Sequence, residues 1–269
     1  MVGLLCWWVG LALLPSTASP ESKGPAPVSL ASQEGMLRLA RSTARVDFAH
    51  LANEFESQEN RAFCGVASAV VVLNALRDRD DRFPKPEDSR LVPAGSLSFD
   101  PLFHRFTQAD FFTAETDAIK RKDEILGRPR APGERPSGGL ELRQLAKLLV
   151  AHGLAVEVRV VDDRLDGATI RRELVKNLST EGDYVLVNYL RAGVGQPGGG
   201  HISPLGAYDA ASDSILVLDV NPNAQPWSWV PASALIDAMR TKDANENRGY
   251  LLVKEGERAG AREGPPKGL

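Results

Sequence analysis

The alternation of apolar and polar positions divides the chain into a helical front and a stranded back. Residues 60–76, NRAFCGVASAVVVLNAL, place Val66, Val70, Leu73 and Leu76 at helical spacing, although Val70, Val71 and Val72 taken alone suit a strand equally well. Upstream, ARVDFAHLANEF (44–55) has an amphipathic helical pattern. Residues 107–126, TQADFFTAETDAIKRKDEIL, open on a threonine and carry a long amphipathic pattern that predicts a second helix. A third is predicted over 140–153, with an apolar stripe of Leu142, Leu145, Leu148 and Leu149 and with Gly153 to end it.

Further along, the pattern shortens to runs rich in β-branched and aromatic residues: VEVRVV (156–161), DYVLVNYL (183–190), HISPLGAYD (201–209), SILVLDV (214–220) and YLLV (250–253). Helical segments near 168–178 and 232–240 separate some of them. Helices in front of an antiparallel sheet make an α+β protein with two lobes.

Composition adds organisation to this picture. The 269 residues are 43% hydrophobic and 25% charged, enough for one sizeable core. A net charge of -3 without a long basic run offers no footprint for nucleic acid, so a small or peptide-like substrate fits better. Residues 1–18, within MVGLLCWWVGLALLPSTASP, read as a secretory signal cleaved near Ala18, although no Lys or Arg precedes the apolar run. That run falls short of the about 20 residues a membrane span needs. An exported, periplasmic protein with no other membrane association is expected, an uncleaved anchor being the alternative. Residues 19–35 read as a flexible leader, 36–254 as the folded domain and 255–269 as a disordered tail. Two polar inserts rich in Pro and Gly, 78–95 and 127–139, read as surface loops.

Removal of the signal takes Cys6 and leaves Cys64 as the sole cysteine. An exported protein normally pairs its thiols or loses them, so a lone one is either a small buried hydrophobe or a reactive group. Its place at the start of a helix favours the thiolate, because unpaired N–H groups and the helix dipole stabilise negative charge there. Gly65 allows a close approach of backbone or substrate, and Gln58 stands near enough to donate its amide to an oxyanion. Of four histidines, His50, His104 and His152 sit in or beside amphipathic or apolar patterns and read as structural. His201 follows the glycine-rich GQPGGG and opens a strand, and a hairpin turning near residues 210–213 would bring Asp219 back beside it. A carboxylate there would orient the imidazole that a thiol nucleophile needs. Viewed alone, Asp219 could equally serve as a turn or cap carboxylate.

Gln58, AFCGVAS (62–68), VLNAL (72–76), FTQADFF (106–112), VNYLRAGVGQPGGGHISPLGAY (187–208), LDV (218–220) and RGYLLV (248–253) resemble phytochelatin synthase, most of all its short bacterial form in which the catalytic domain stands alone. The resemblance runs from about Phe48 to Val253. It implies a papain-like fold, with a helical N-terminal lobe and an antiparallel sheet in the C-terminal lobe, acting on glutathione. It also implies Cys64 as nucleophile, His201 as base, Asp219 as its orienting partner and Gln58 as oxyanion donor. Gly65 and Gly200 would border the substrate, and Asp243 and Arg248 would hold the acyl group, a surface salt bridge being their alternative. A γ-glutamylcysteinyl thioester on Cys64 would pass to water, or more slowly to a second glutathione to make phytochelatin. No cofactor is obligatory and no protein metal site is implied. Cd or Zn would enter as a metal–glutathione thiolate, as substrate or activator. A homodimer stays open.

The chain departs from the family pattern in four places. Asp243 and Arg248 stand closer together than usual, NPNAQPWSWV (221–230) replaces a basic and aromatic segment, the two inserts are extra, and no Cys-rich C-terminal segment is present. Two rival readings are a papain-like cysteine peptidase on a secreted peptide and a non-catalytic periplasmic thiol- or metal-binding protein. GGGHISPL and RGYLLV argue against the first, and the lack of CxxC or HxxxH spacing against the second.

Overall fold

The structure is a computed structural model that describes residues 26–77, 85–86, 104–129, 133–134 and 137–256. The signal segment, the tail beyond residue 256 and most of the first insert lie outside the described residues. A seven-stranded antiparallel sheet runs in the order β1-β6-β5-β4-β3-β7-β2. Its strands are β1 (Val28–Ser29), β2 (Leu154–Val160), β3 (Tyr184–Leu190), β4 (Gly200–Asp209), β5 (Ser214–Val217), β6 (Ser228–Pro231) and β7 (Gly249–Glu255). The helices are α1 (Gln33–Arg41), α2 (Phe48–Asn53), α3 (Cys64–Arg77), α4 (Ala114–Ile119), α5 (Lys122–Ile125), α6 (Leu142–Ala151), α7 (Gly167–Leu178) and α8 (Ala232–Met239). The fold is α+β, as the sequence pattern implied.

Both faces of the sheet are covered, which explains why YVLVNYL in β3 is a nearly unbroken apolar run. Tyr184 and Leu186 join Leu251 and Val253 of β7 in a core beneath α3 and α6. Val185, Val187 and Tyr189 join Tyr250 in a second core with α7 and α8. Helix α3 lies buried on nearly all sides, with Val66, Val70, Val71, Val72 and Leu73 fully enclosed. This resolves the ambiguity of the valine run, because tertiary burial outweighs the modest helical cost of β-branched residues.

Three expectations need correction. The single helix over 107–126 is broken: Thr107 Oγ1 donates to Asp110 in a turn, and Thr113 with Thr116 forms a capping box that starts α4 at Ala114. Lys120 then takes an extended conformation and ends it before α5. Polar side chains that bond their own backbone here offer an alternative to a continuous helix. The strand expected over 214–220 stops at Val217, leaving Asp219 in irregular backbone. Also, Val28–Ser29, which composition placed in the leader, pairs with Ser228 and Trp229, and Ser32 caps α1.

Candidate active site

Helix α3 begins at Cys64 and is fastened to the sheet one turn later. Ser68 Oγ donates to the Cys64 carbonyl at 2.7 Å and also contacts the Ile202 carbonyl of β4 at 3.1 Å, bringing the thiol to the start of that strand. His201 is 5% exposed, and its Nε2 lies 2.9 Å from Asp219 Oδ1. Nδ1 is therefore the ring nitrogen left to face the Cys64 thiol, which lines the same cavity as His201.

The turn between β4 and β5 brings Asp219 to this place. Asp209 pairs with Ser214, Asp213 adopts a positive φ of 47°, and the returning chain continues past β5 through Leu218 N–H on the Pro204 carbonyl. Asn221 N–H then donates to Asp219 Oδ1 at 2.8 Å and fixes the carboxylate. The expected hairpin is present, and the irregular segment after it sets the distance.

Electrostatics favour a thiolate–imidazolium pair. Burial pushes the Cys64 thiol up, but the hydrogen bond and charge of His201, with backbone donors at Ile202 and Gly65, hold it below its ordinary value. Burial pushes the His201 imidazole down, but hydrogen bonds to Asp219 and Cys64 hold it above its ordinary value. Burial likewise pushes the Asp219 carboxyl up, and His201 and Arg191 together bring it below. A thiol acidified beside a base is the arrangement nucleophilic cysteines use.

Arg191 was not singled out from the sequence. It is 4% exposed, with Nη2 donating to Asp219 Oδ1 at 2.9 Å and Nη1 lying 2.7 Å from Oδ2. Gln196 accepts from Arg191 Nη1 and from the Tyr189 hydroxyl, and Tyr189 stands edge-on to the His201 ring. The glycine run explains how the strand start accommodates this. A Cβ on Gly198, which has φ of 117°, would approach Arg191 Cδ to 3.1 Å, and one on Gly200 would lie 2.4 Å from Arg248 Nη1. Only glycine leaves both guanidinium groups where they are.

A cavity of about 340 Å³ opens beside the thiol, lined by Arg61, Ala62, Cys64, His201, Asn188 and Gly200 among others. Gly138, Gly139 and Leu140 close one side, so the end of the second insert borders the site. Asp243 and Arg248 also line it. Their close spacing in sequence is met by a tight loop in which Lys242 bridges Asn247 and Asp243 N–H donates to the Glu246 carbonyl. Arg248 Nη2 lies 3.2 Å from Asp243 Oδ1. Asn188 closes the set: its Nδ2 donates to Asp243 at 2.9 Å and its Oδ1 accepts from Arg248 at 2.8 Å. Asn188 had a sequence signal, as the one polar residue inside YVLVNYL.

Besides Asp219, which stands behind His201, two expected site residues lie outside this cavity wall. A Cβ on Gly65 would meet Leu140 and Ile202, so its small size serves packing, while its N–H supports the thiol. Gln58 Nε2 donates to the Asn60 carbonyl at 2.6 Å, and its backbone N–H bonds Val220, next to Asp219. The loop is held by fully buried Gln108, which accepts from Glu59 N–H and donates to the Ser57 carbonyl. The remaining histidines do not join the site. His152 caps α6, but burial lowers its pKa and it stacks on Phe111, so it acts by packing rather than as a charge on the helix dipole. No group of three or more His, Cys, Asp or Glu among the described residues could hold a metal.

Residues 23–250 match the family described as phytochelatin synthase. The chain is 30% identical over 237 residues to glutathione gamma-glutamylcysteinyltransferase 1 of Triticum aestivum, covering 85% of this chain and 41% of that protein. It is 29% identical over 222 residues to glutathione gamma-glutamylcysteinyltransferase 3 of Lotus japonicus, covering 79% and 38%. With the Schizosaccharomyces pombe glutathione gamma-glutamylcysteinyltransferase it shares 23% identity over 220 residues, covering 81% and 46%. The chain therefore spans less than half the length of these relatives. The match runs through the Cys64 helix, the His201 strand and the Asp219 segment, and the chain belongs to the phytochelatin synthase family.

Proposed function

We propose that the chain cleaves the Cys–Gly bond of glutathione through a γ-glutamylcysteinyl thioester on Cys64. The observation that carries this reading is one cavity in which an acidified thiol, beside a His201 that is hydrogen-bonded to Asp219, adjoins the Asp243–Arg248 pair. The γ-glutamyl end of glutathione carries an ammonium and a carboxylate on one carbon, and an Asp–Arg pair complements both. Buried Arg248 Nε has no hydrogen-bond partner among the described residues, which suits a guanidinium waiting for a carboxylate. The relatives' shared name, glutathione gamma-glutamylcysteinyltransferase, supports the same substrate.

In this mechanism the Cys64 thiolate attacks the carbonyl carbon, the C–N bond breaks, and the His201 imidazolium gives its proton to the departing glycine amine. The Cys64 N–H at the start of α3 and the second N–H of Gln58 Nε2 serve the oxyanion. His201 then takes a proton from water, which attacks the thioester and releases γ-glutamylcysteine and the thiolate. We place hydrolysis ahead of transfer to a second glutathione because residues 221–230, following Asp219, contain no Lys or Arg to hold a second anion. A heavy-metal ion would enter as the metal thiolate of glutathione, as substrate or activator. Export through residues 1–18 is part of the same proposal.

Mass spectrometry of purified protein mixed with glutathione tests this. The expected result is a γ-glutamylcysteinyl adduct on Cys64, free glycine, and loss of both in Cys64→Ser. No adduct and no glycine from protein with reduced Cys64 would redirect the site to a peptidase on another substrate. Phytochelatin dominating at modest glutathione would reverse the order of hydrolysis and transfer.

A further inference from the structure

The cavity carries one charge that the γ-glutamyl end of glutathione does not use. Arg61, Asp243 and Arg248 line it, alongside His201. Asp243 and Arg248 are paired with each other and with Asn188. Arg61 is exposed and makes no ion pair with any described residue. These three side chains sum to one positive charge, whereas glutathione with its thiol protonated carries two carboxylates and one ammonium and sums to one negative. Once the Asp–Arg pair takes the α-ammonium and α-carboxylate, one cation and one carboxylate remain. That carboxylate is the glycine's.

Placement agrees with the charge count. Asn188, Gly200 and Arg248 reach the cavity from β3, β4 and the residue before β7, on the sheet side. Arg61 comes from the loop that leads into α3, on the side of the nucleophile helix. The scissile carbonyl must sit at Cys64, between the γ-glutamyl end and the glycine. A substrate anchored on the sheet side at Asp243 and Arg248 therefore directs its glycine toward the helical side. The wall there includes Gly138 and Gly139, and a Cβ on Gly139 would meet nothing within 4 Å, which leaves room for the departing residue.

We infer that Arg61 binds the carboxylate of the departing residue and is a specificity-determining residue. The site then selects substrates whose leaving amino acid ends in a free carboxylate. This rests on the glutathione reading above. Arg61 keeps its proton throughout and takes part in no bond change.

The test compares glutathione with glutathione amidated at its glycine carboxylate, scoring release of glycine or glycinamide as kcat/KM. Wild type is expected to prefer glutathione by about tenfold, the scale of one charge-assisted hydrogen bond near a surface. In Arg61→Ala the preference collapses to within about twofold, through loss on glutathione, and Arg61→Lys restores part of it. Equal losses on both substrates in Arg61→Ala, or a preference that survives the substitution, would overturn the inference while leaving the glutathione reading standing. A wild type that turns over neither substrate would overturn the reading and the inference together. Alkylation of Cys64 at the wild-type rate in each variant verifies that the site is intact.

Discussion

Asp219→Asn removes one negative charge and almost no volume from the buried end of the Cys64–His201–Asp219 chain. The carboxylate is 1% exposed and is contacted by His201 Nε2, Arg191 and Asn221 N–H, each within 3.0 Å. Two separable effects follow. A hydrogen bond to a charged group is worth about 1.5–3 kcal/mol. Its loss removes part of what holds the His201 imidazole above its ordinary value, so the imidazolium is weakened. In the wild type His201 holds the Cys64 thiol below its ordinary value and is itself held above its own, so the variant weakens the ion pair from both sides. The second effect is on stability, because Arg191 stays buried without its carboxylate, at a cost of about 3–5 kcal/mol. The assay is the rate of Cys64 alkylation by iodoacetamide against pH, with urea denaturation at pH 7. The reactivity onset moves to higher pH and the urea midpoint falls. Adding Arg191→Met removes the unpaired charge, so stability returns in large part while the onset stays high. A folded Asp219→Asn protein whose alkylation profile overlays the wild type's would refute this reasoning, as would a double variant that regains reactivity at low pH.

Other outcomes test the supporting structure. Gly200→Ala sets a methyl against the Arg248 guanidinium and should raise KM for glutathione about fivefold or more, whereas Gly199→Ala, with open space around it, should leave KM unchanged in steady-state assays. Asn74 holds the Phe106 N–H at 2.8 Å and its carbonyl at 2.9 Å, both buried, so Asn74→Ala should cost about 2–5 kcal/mol in urea denaturation; a loss under about 1 kcal/mol would show that the segment repacks. The Arg41 guanidinium holds the Asp209 carboxyl at about 2 in the folded state, against about 3.9 unfolded. Its contribution is present above about pH 4 and drains as pH falls toward 2, so thermal denaturation across that range should show a loss of about 2 kcal/mol that Asp209→Asn lacks. For His201 the sign is opposite: its raised folded value makes its contribution full below about pH 6.5, declining as pH rises through the folded value.

The parts of the site that were legible in the sequence depend on neighbours along the chain. An apolar helix opening on Cys64 needs only its own period and its first turn, and a strand–turn–strand with a polar turn at 210–213 returns Asp219 toward His201 whatever packs on it. The break in 107–126 escaped because amphipathic spacing persists through it, while side chain to backbone bonds at Thr107, Thr113 and Thr116 decide where helix can form. Val28–Ser29 escaped because a two-residue strand has no period of its own and exists only by pairing with β6.

By itself, then, the order of residues determined the α+β class, the helix that opens on Cys64 and the hairpin that carries His201 and returns Asp219, since each arises from local periodicity and turn chemistry. Tertiary structure alone decided which charges meet. Arg191 on Asp219, Asn188 between Asp243 and Arg248, and Arg61 at the cavity without an ion-pair partner among the described residues all depend on contacts or openings between distant segments. An arginine has the same sequence appearance whether water or a buried carboxylate surrounds it. Only packing removes the water, and with it the screening that makes such charges equivalent.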